Sequence, residues 1–273
     1  MNASRSCDIS LAITGSGGAG SITAGELLLS LAGNNGCFGM MRRSFGPQIR
    51  GGEAAALLRI RHRPVECMND SFDLLLALDW RNADRFADEV ALHPGSLIIA
   101  DPAQGDIPQA IRELGADIIE VPMQALAKEV EFGRPNMVAL GVLCHWLGFC
   151  PDEAGHLIDH VFHGKGEDIV NGSRRAFEKG FTAPVIVEAR EARPRAESAG
   201  PAFEGSRWDL SGNEGCGLGA LRGGIRFAAA YPITPASHLL EWLAPRLEQL
   251  GGSLVQAEDE LASINMVIGA SFG

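Results

Sequence analysis

The chain has 273 residues, 46% apolar and 21% charged, enough to bury a sizeable core and more than one small domain needs. A formal net charge of −11 argues against nucleic acid or an anionic membrane surface as partner, because both repel such a chain. No apolar stretch reaches the roughly 18 residues of a membrane span, and residues 1–6 lead straight into a strand pattern instead of a secretory leader, so a cytoplasmic location is expected.

The first strand pattern, 8–14, runs into Gly15-Ser16-Gly17-Gly18-Ala19-Gly20 and then a helical stretch, Ser21 to Leu31. Gly15, Gly17 and Gly20 match G-x-G-x-x-G, the spacing of a dinucleotide-binding turn. That reading also needs an acidic residue about 20 positions on, to hold the ribose hydroxyls. The residues there, Gly36-Cys37-Phe38-Gly39-Met40-Met41-Arg42-Arg43, contain none. NAD is therefore disfavoured, and Arg42 with Arg43 leaves only a narrow case for NADP. Gly15, Gly17, Gly18 and Gly20 can still present backbone N–H groups to a phosphate at the helix N-terminus, or simply form a tight turn.

Further strands are expected at 36–41, 54–61, 73–78, 97–100 and 117–121, with amphipathic helices Arg81 to Val90 and Pro108 to Leu114 between the later ones. This alternation marks an α/β unit with a largely parallel sheet covered on both faces. Helical patterns follow at 136–148, 152–163 and 167–179. The stretch 183–211 is rich in Pro, Ala, Glu, Arg, Ser and Gly without periodicity, and reads as an interdomain linker. A second unit opens with a small-residue helix, Gly212 to Gly224. Strand Phe227–Ala230, helix Ser237–Leu250, strand Ser253–Gln256 and a helix from Glu260 follow. Ending on Gly269-Ala270-Ser271-Phe272-Gly273 leaves this unit without a closing strand, so the chain is expected to be the front part of a longer polypeptide or a product cut from one.

The six cysteines (Cys7, Cys37, Cys67, Cys144, Cys150, Cys216) show no C-x-x-C, so they are expected to be reduced, mostly buried thiols and not zinc or iron–sulfur ligands. His156, His160 and His163 share a helical face with Asp159, a permissible metal spacing that reads better as an exposed helix end.

The glycine segment 15–20, together with Phe45-Gly46-Pro47-Gln48-Ile49-Arg50-Gly51-Gly52 and Arg134-Pro135-Asn136-Met137-Val138-Ala139-Leu140-Gly141, resembles the gamma domain of the 2-oxoacid:ferredoxin oxidoreductases. Gly212-Asn213-Glu214, Tyr231-Pro232-Ile233-Thr234-Pro235 and Gln256-Ala257-Glu258-Asp259-Glu260 resemble the start of that family's alpha subunit, in the fused gamma–alpha form. The gamma-type loop usually carries Gln where this sequence has Ala19. The resemblance implies a gamma-type α/β domain over 1–182, a linker over 183–211, and over 212–273 the start of a thiamine-diphosphate, pyrimidine-binding-type α/β domain.

Such enzymes decarboxylate a 2-oxoacid on thiamine diphosphate, pass electrons through iron–sulfur clusters to ferredoxin or another iron–sulfur acceptor, and release an acyl-CoA. The resemblance places Glu260 at the family's glutamate, where partial burial raises a carboxyl pKa and favours sharing a proton with the cofactor's aminopyrimidine. Glu258 is the rival. Both acids also suit a helix N-terminus for purely electrostatic reasons. Thr234 is the substrate-contact candidate on a turn stiffened by Pro232 and Pro235, with Tyr231 and Ile233 beside it, unless it only caps the next helix. Gly15, Gly17, Gly18, Gly20 and Arg50 are candidates for a phosphate of coenzyme A. The sequence has no G-D-G motif, so Mg²⁺ and the diphosphate are expected on a beta subunit, along with the [4Fe-4S] clusters. Gamma–alpha fusion makes 2-oxoglutarate the favoured 2-oxoacid. An NADP-binding oxidoreductase domain and a non-catalytic assembly module are the competing readings.

Overall fold

The computed structural model describes residues 8–46, 52–81, 83–86, 88–192 and 208–273. It divides into two compact units, Met1–Arg207 and Trp208–Gly273. The first contains β1 (Ile9–Ser16), α1 (Ser21–Asn34), β2 (Phe38–Phe45), β3 (Glu53–Arg61), β4 (Phe72–Ala77), β5 (Leu92–Ala100), α2 (Gln109–Glu113), β6 (Asp117–Glu120), α3 (Met123–Lys128), α4 (Pro135–Leu147), α5 (Pro151–Phe162), α6 (Glu167–Phe181) and α7 (Pro184–Glu191).

Its six strands lie in the order β2-β3-β1-β4-β5-β6. β1, β4, β5 and β6 pair in parallel, while β3 is antiparallel to both β1 and β2, so β3 alone runs against the rest. The central β1 is buried on both faces: Leu11 and Ile13 join one core cluster and Ala12 the other. That is why its sequence is a continuous apolar run and not an alternation. β6 closes one edge as four residues, Asp-Ile-Ile-Glu, short and charged as an unpaired edge should be.

The first face of the sheet carries α1 and α4 with α5, α6 and α7 in one continuous core. Every residue of α4 from Met137 to Cys144 is buried, as expected of a helix that is apolar all round. α4 and α6 approach so closely that a Cβ on Gly141 would run into the Phe177 carbonyl oxygen, and one on Gly180 into that of Val138. The second face is covered by Trp80, Phe86, Ile107 and their neighbours.

Four expectations change. The helix expected over 81–90 is, among the described residues, a single 3-10 turn, Ala83–Phe86. Among the residues of that stretch whose burial is described, Phe86 and Val90 are buried, four residues apart. The presumed linker opens with α7, whose Ile186 is fully buried; one anchoring side chain suffices where composition reads as irregular. α3 was not foreseen. Cys37 is disulfide-bonded, whereas Cys67, Cys144, Cys150 and Cys216 are free, and of these four only Cys144 is buried, which pushes its thiol pKa up.

The second unit is α8 (Gly212–Arg222), β7 (Phe227–Ala230), α9 (Ser237–Gln249), β8 (Ser253–Gln256) and α10 (Glu260–Ala270). α8 starts on a capping box: Glu214 N–H donates to Ser211 Oγ at 3.2 Å, and Ser211 N–H donates to Glu214 Oε2 at 2.8 Å. Gly217 lets the Trp242 ring of α9 lie against α8, and the Arg246 guanidinium sits 3.9 Å from that ring's centroid. β7 and β8 pair in parallel, Phe227 opposite Ser253 through Ala230 opposite Gln256. No helix among the described residues is long and apolar enough to cross a membrane.

Candidate functional site

In the second unit the parallel register decides the site. Ala230 and Gln256 end their strands side by side, so Tyr231–Pro235 and Ala257–Glu260 leave the same edge of the sheet. Ala257 N–H still donates to Ala230 O at 3.0 Å, which ties the two segments together where they begin. In the first segment, Ile233 O accepts from the N–H groups of Ala236 (2.8 Å) and Ser237 (3.2 Å), and the Thr234–Pro235 peptide is cis. Asn213 Nδ2 of α8 donates to Pro235 O at 3.4 Å, bringing the Gly212-Asn213-Glu214 element onto this turn. The N-cap of α9 is Ala236, with no side-chain bond, so Thr234 does not cap the helix. Tyr231, Pro232, Ile233 and Thr234 are all exposed.

In the second segment Asp259 is the N-cap of α10: its Oδ1 accepts from Ala262 N–H at 2.6 Å. The helix start is therefore satisfied by the middle acid of the three. Glu258 and Glu260 are both exposed, and neither side chain makes a hydrogen bond among the described residues. The partial burial expected for Glu260 is a correction: α10 buries none of its residues within this chain, so nothing here desolvates the carboxyl.

In the first unit the glycine segment links β1 to α1. Gly15 lies inside β1 opposite Ala54, where a Cβ would stand 3.2 Å from those of Ala19 and Leu78. Gly17 N–H donates to Gly52 O. Gly18 and Gly20 both hold φ +90°, the left-handed region that glycine enters without penalty. Gly20 is the N-cap of α1, and its carbonyl oxygen accepts from Ala24 N–H at 3.0 Å and from Asn136 Nδ2 at 3.3 Å. A surface pocket of about 400 Å³ opens beside it, lined by Gly17, Gly18, Gly20, Ser21, Phe45 and Gly52. Thus the three gamma-like segments meet: the glycine loop, the end of β2 with the start of β3, and the start of α4. Gly15 does not line this pocket, and Arg50 lies outside the described residues. Glu53 also lines the pocket, as a buried carboxylate paired with Arg85 at 2.9 Å.

The dinucleotide reading loses its supports. β3 intervenes between β1 and β2, so the strand that would carry the ribose-binding residue is not the neighbour of β1. Arg42 is bound to Glu89 at 3.2 Å and Arg43 to Glu26 at 2.6 Å. His156, His160 and His163 are exposed, and the described residues contain no cluster of three metal-ligating side chains. Sequence reasoning missed Asn136 and Asp259; the Asx preference for N-caps could have found the second.

The fold is shared with known proteins. The chain aligns over 97% of its length with a solved 2-oxoglutarate:ferredoxin oxidoreductase from Magnetococcus marinus, at 31% identity and a TM-score of 0.78, covering 46% of that chain; that structure holds 2-oxoglutarate, coenzyme A and succinyl-CoA. Residues 10–183 match the pyruvate ferredoxin/flavodoxin oxidoreductase family, and residues 218–273 its thiamine-diphosphate-binding domain. The chain belongs to this oxidoreductase family. Among curated relatives, subunit alpha of 2-oxoacid:ferredoxin oxidoreductase 2 from Aeropyrum pernix is 27% identical over 97% of this chain and 49% of its own length. The 2-oxoglutarate synthase subunit KorA of Methanocaldococcus jannaschii is 48% identical over 64 residues, 23% of this chain and 18% of its own. The chain thus spans half or less of the length of these relatives.

Proposed function

We propose that this chain belongs to a 2-oxoacid:ferredoxin oxidoreductase acting on 2-oxoglutarate with coenzyme A, and that its second unit forms the aminopyrimidine side of a thiamine diphosphate site shared with a beta subunit. The observation that carries this is the in-register pairing of β7 and β8, which sets the Thr234 turn and the Glu260 segment on one edge. The residues fit the group: a carboxyl and a hydroxyl stand exposed there, neither spent on capping a helix. Thiamine diphosphate, when bound, supplies the carbanion chemistry of 2-oxoacid decarboxylation. Glu260 would hold the ring nitrogen through its carboxyl, an interaction that requires the enclosing surface to come from outside this chain. Thr234 orients substrate through Oγ1, on a turn held by Asn213. Glu258 is the rival acid two residues earlier. Mg²⁺, the diphosphate and the [4Fe-4S] clusters are assigned to the partner, and ferredoxin to the acceptor role. 2-Oxoglutarate is favoured because both the Magnetococcus marinus and the Methanocaldococcus jannaschii proteins carry that substrate in their names. The pocket beside Gly17, Gly18 and Gly20 is proposed for a phosphate of coenzyme A, where the N-terminus of α1 favours an anion.

The test is Glu260→Gln against Glu258→Gln in the full-length protein reconstituted with its partner, read by exchange of the cofactor's C2 proton and by 2-oxoacid oxidation. Glu260→Gln should slow both by about 10² to 10⁴ while the cofactor still binds. Glu258→Gln should stay within a few-fold of wild type. The reverse pattern reassigns the acid to Glu258, and indifference of both variants overturns the thiamine reading of this segment.

A further inference from the structure

β3 changes character at its C-terminal end. Ala56, Leu58 and Ile60 belong to the core under the first face of the sheet, and Ala55 and Leu57 to that under the second. Alternate residues of a strand share a face, so Arg59 and Arg61 continue the row of Ala55 and Leu57 with charge where the core stops. Arg63 follows two positions on. These three arginines, with Pro64, Glu66 and Cys67, line a surface pocket of about 450 Å³.

Arg61 is tied down, its Nε 3.2 Å from Asp8 Oδ1. Glu66 pairs with none of the three arginines among the described residues. Of the partly buried arginines, Arg61, Arg190 and Arg246 each have a partner. Arg59 is also partly buried, yet it makes no hydrogen bond or ion pair among the described residues. Its cross-strand neighbours are Ser10 and Met40, neither of them an acid. A guanidinium partly withdrawn from water is unfavourable unless something pairs with it. The chain has 34 acids against 23 Lys and Arg, so the missing counter-charge is not for want of carboxylates.

We propose that this pocket binds a small dianion, a molecule with two separate oxyanion groups, one held by Arg59 and the other by Arg63. A guanidinium fork grips one carboxylate or phosphate bidentately. Arginines two positions apart on a strand start about 6.6 Å from each other, so a single group cannot satisfy both ends of the row. The volume falls within the roughly 300–1,000 Å³ of small-molecule sites. The pocket also lies at the opposite end of β3 from Glu53, which lines the glycine-loop pocket. Eight residue steps, from 53 to 61, put about 26 Å between them. The site is independent of the thiamine reading, because its residues belong to the first unit alone.

The probes are glutarate, with two carboxylates, and pyrophosphate, with two phosphates; propionate and methyl phosphate carry one group each. The 273-residue chain is treated with phenylglyoxal, which modifies arginines, and each site is read by mass spectrometry. At millimolar concentration at least one dianion should slow modification of Arg59 and Arg63 and leave the exposed Arg175 and Arg222 unchanged. Cys67, a free and exposed thiol in the same lining, should be alkylated more slowly, while the equally exposed Cys216 of the second unit is unaffected. Protection by glutarate alone assigns the site to dicarboxylates, and protection by pyrophosphate alone to diphosphates. Arg59→Met should weaken binding of that dianion about tenfold or more, as loss of a hydrogen bond to a charged group does. The proposal is overturned if Arg59 of the wild-type chain reacts at the same rate with and without either dianion, a readout that needs no variant to fold. Pyrophosphate seated only in the glycine-loop pocket would give that result, since no described arginine lines that pocket. It is equally overturned if the one-group anions protect Arg59 as well as their two-group counterparts, or if Arg59→Met binds the dianion as tightly as wild type.

Discussion

Asn136, at the start of α4, donates from Nδ2 to the carbonyl oxygen of Gly20, 116 positions earlier in the chain, at 3.3 Å. The bond joins two motifs that are far apart in sequence, and it explains why Gly20 has no room for a side chain: a Cβ there would meet the Asn136 amide.

Asn136→Ala should therefore lower stability by about 0.5–1.5 kcal/mol, the value of one partly buried hydrogen bond. Gly20→Ala should cost more, because the left-handed backbone alone adds about 1–2 kcal/mol for a residue with a Cβ. The two sites share a contact, so their effects should not add. Urea denaturation of both singles and the double variant would show the coupling, and strict additivity would disprove the steric link.

Gly141→Ala should destabilise the first unit at or beyond the upper end of the roughly 1–3 kcal/mol typical of overpacking. The added methyl meets a backbone carbonyl, which cannot swing aside as a side chain can. Thermal unfolding measures this. A near-neutral result would mean that α4 and α6 can separate freely.

His145 offers a pH effect. Burial chiefly, and the positive charge of Arg190 next, hold its pKa below the ordinary value of 6.5. The fold therefore favours the neutral ring, and the stability this contributes is present above pH 6.5 and is lost as pH falls below it. Replacing His145 by Gln should flatten the loss of melting temperature between pH 7.5 and 5.5. An unchanged slope would show that other groups carry the acid sensitivity.

The 273-residue chain by itself should bind thiamine diphosphate poorly, since its sequence has no G-D-G element to hold the Mg²⁺–diphosphate. Calorimetry with Mg²⁺ present decides. Micromolar, Mg²⁺-dependent affinity would end the shared-site reading.

Much of this was readable from the chain. β1, β3 and β4 fall where their apolar runs do, because strands buried on both faces are largely apolar. The reversed direction of β3 was not readable, since periodicity records burial and is the same for either direction. α7 was hidden by a composition of loop residues, with Ile186 as its one deep anchor. The motif Tyr231–Pro235 announced a rigid turn, but that Asn213 braces it depends on how α8 packs, which no local pattern encodes. The exposure of Glu260 was likewise invisible: a carboxylate opening a helix looks the same in sequence whether or not something covers it.

The pairing of β7 with β8 restricts how this unit can vary. The Thr234 turn and the Glu260 segment start from adjacent rungs of one ladder, with strands about 4.8 Å apart. Inserting a residue within either strand would slide one motif by about 3.3 Å against the other and turn its side chains to the opposite face. Length changes are tolerated only where they leave the ladder alone, as in the Leu250–Gly252 turn. Relatives that differ in length here should differ in that turn and keep both strands at four residues.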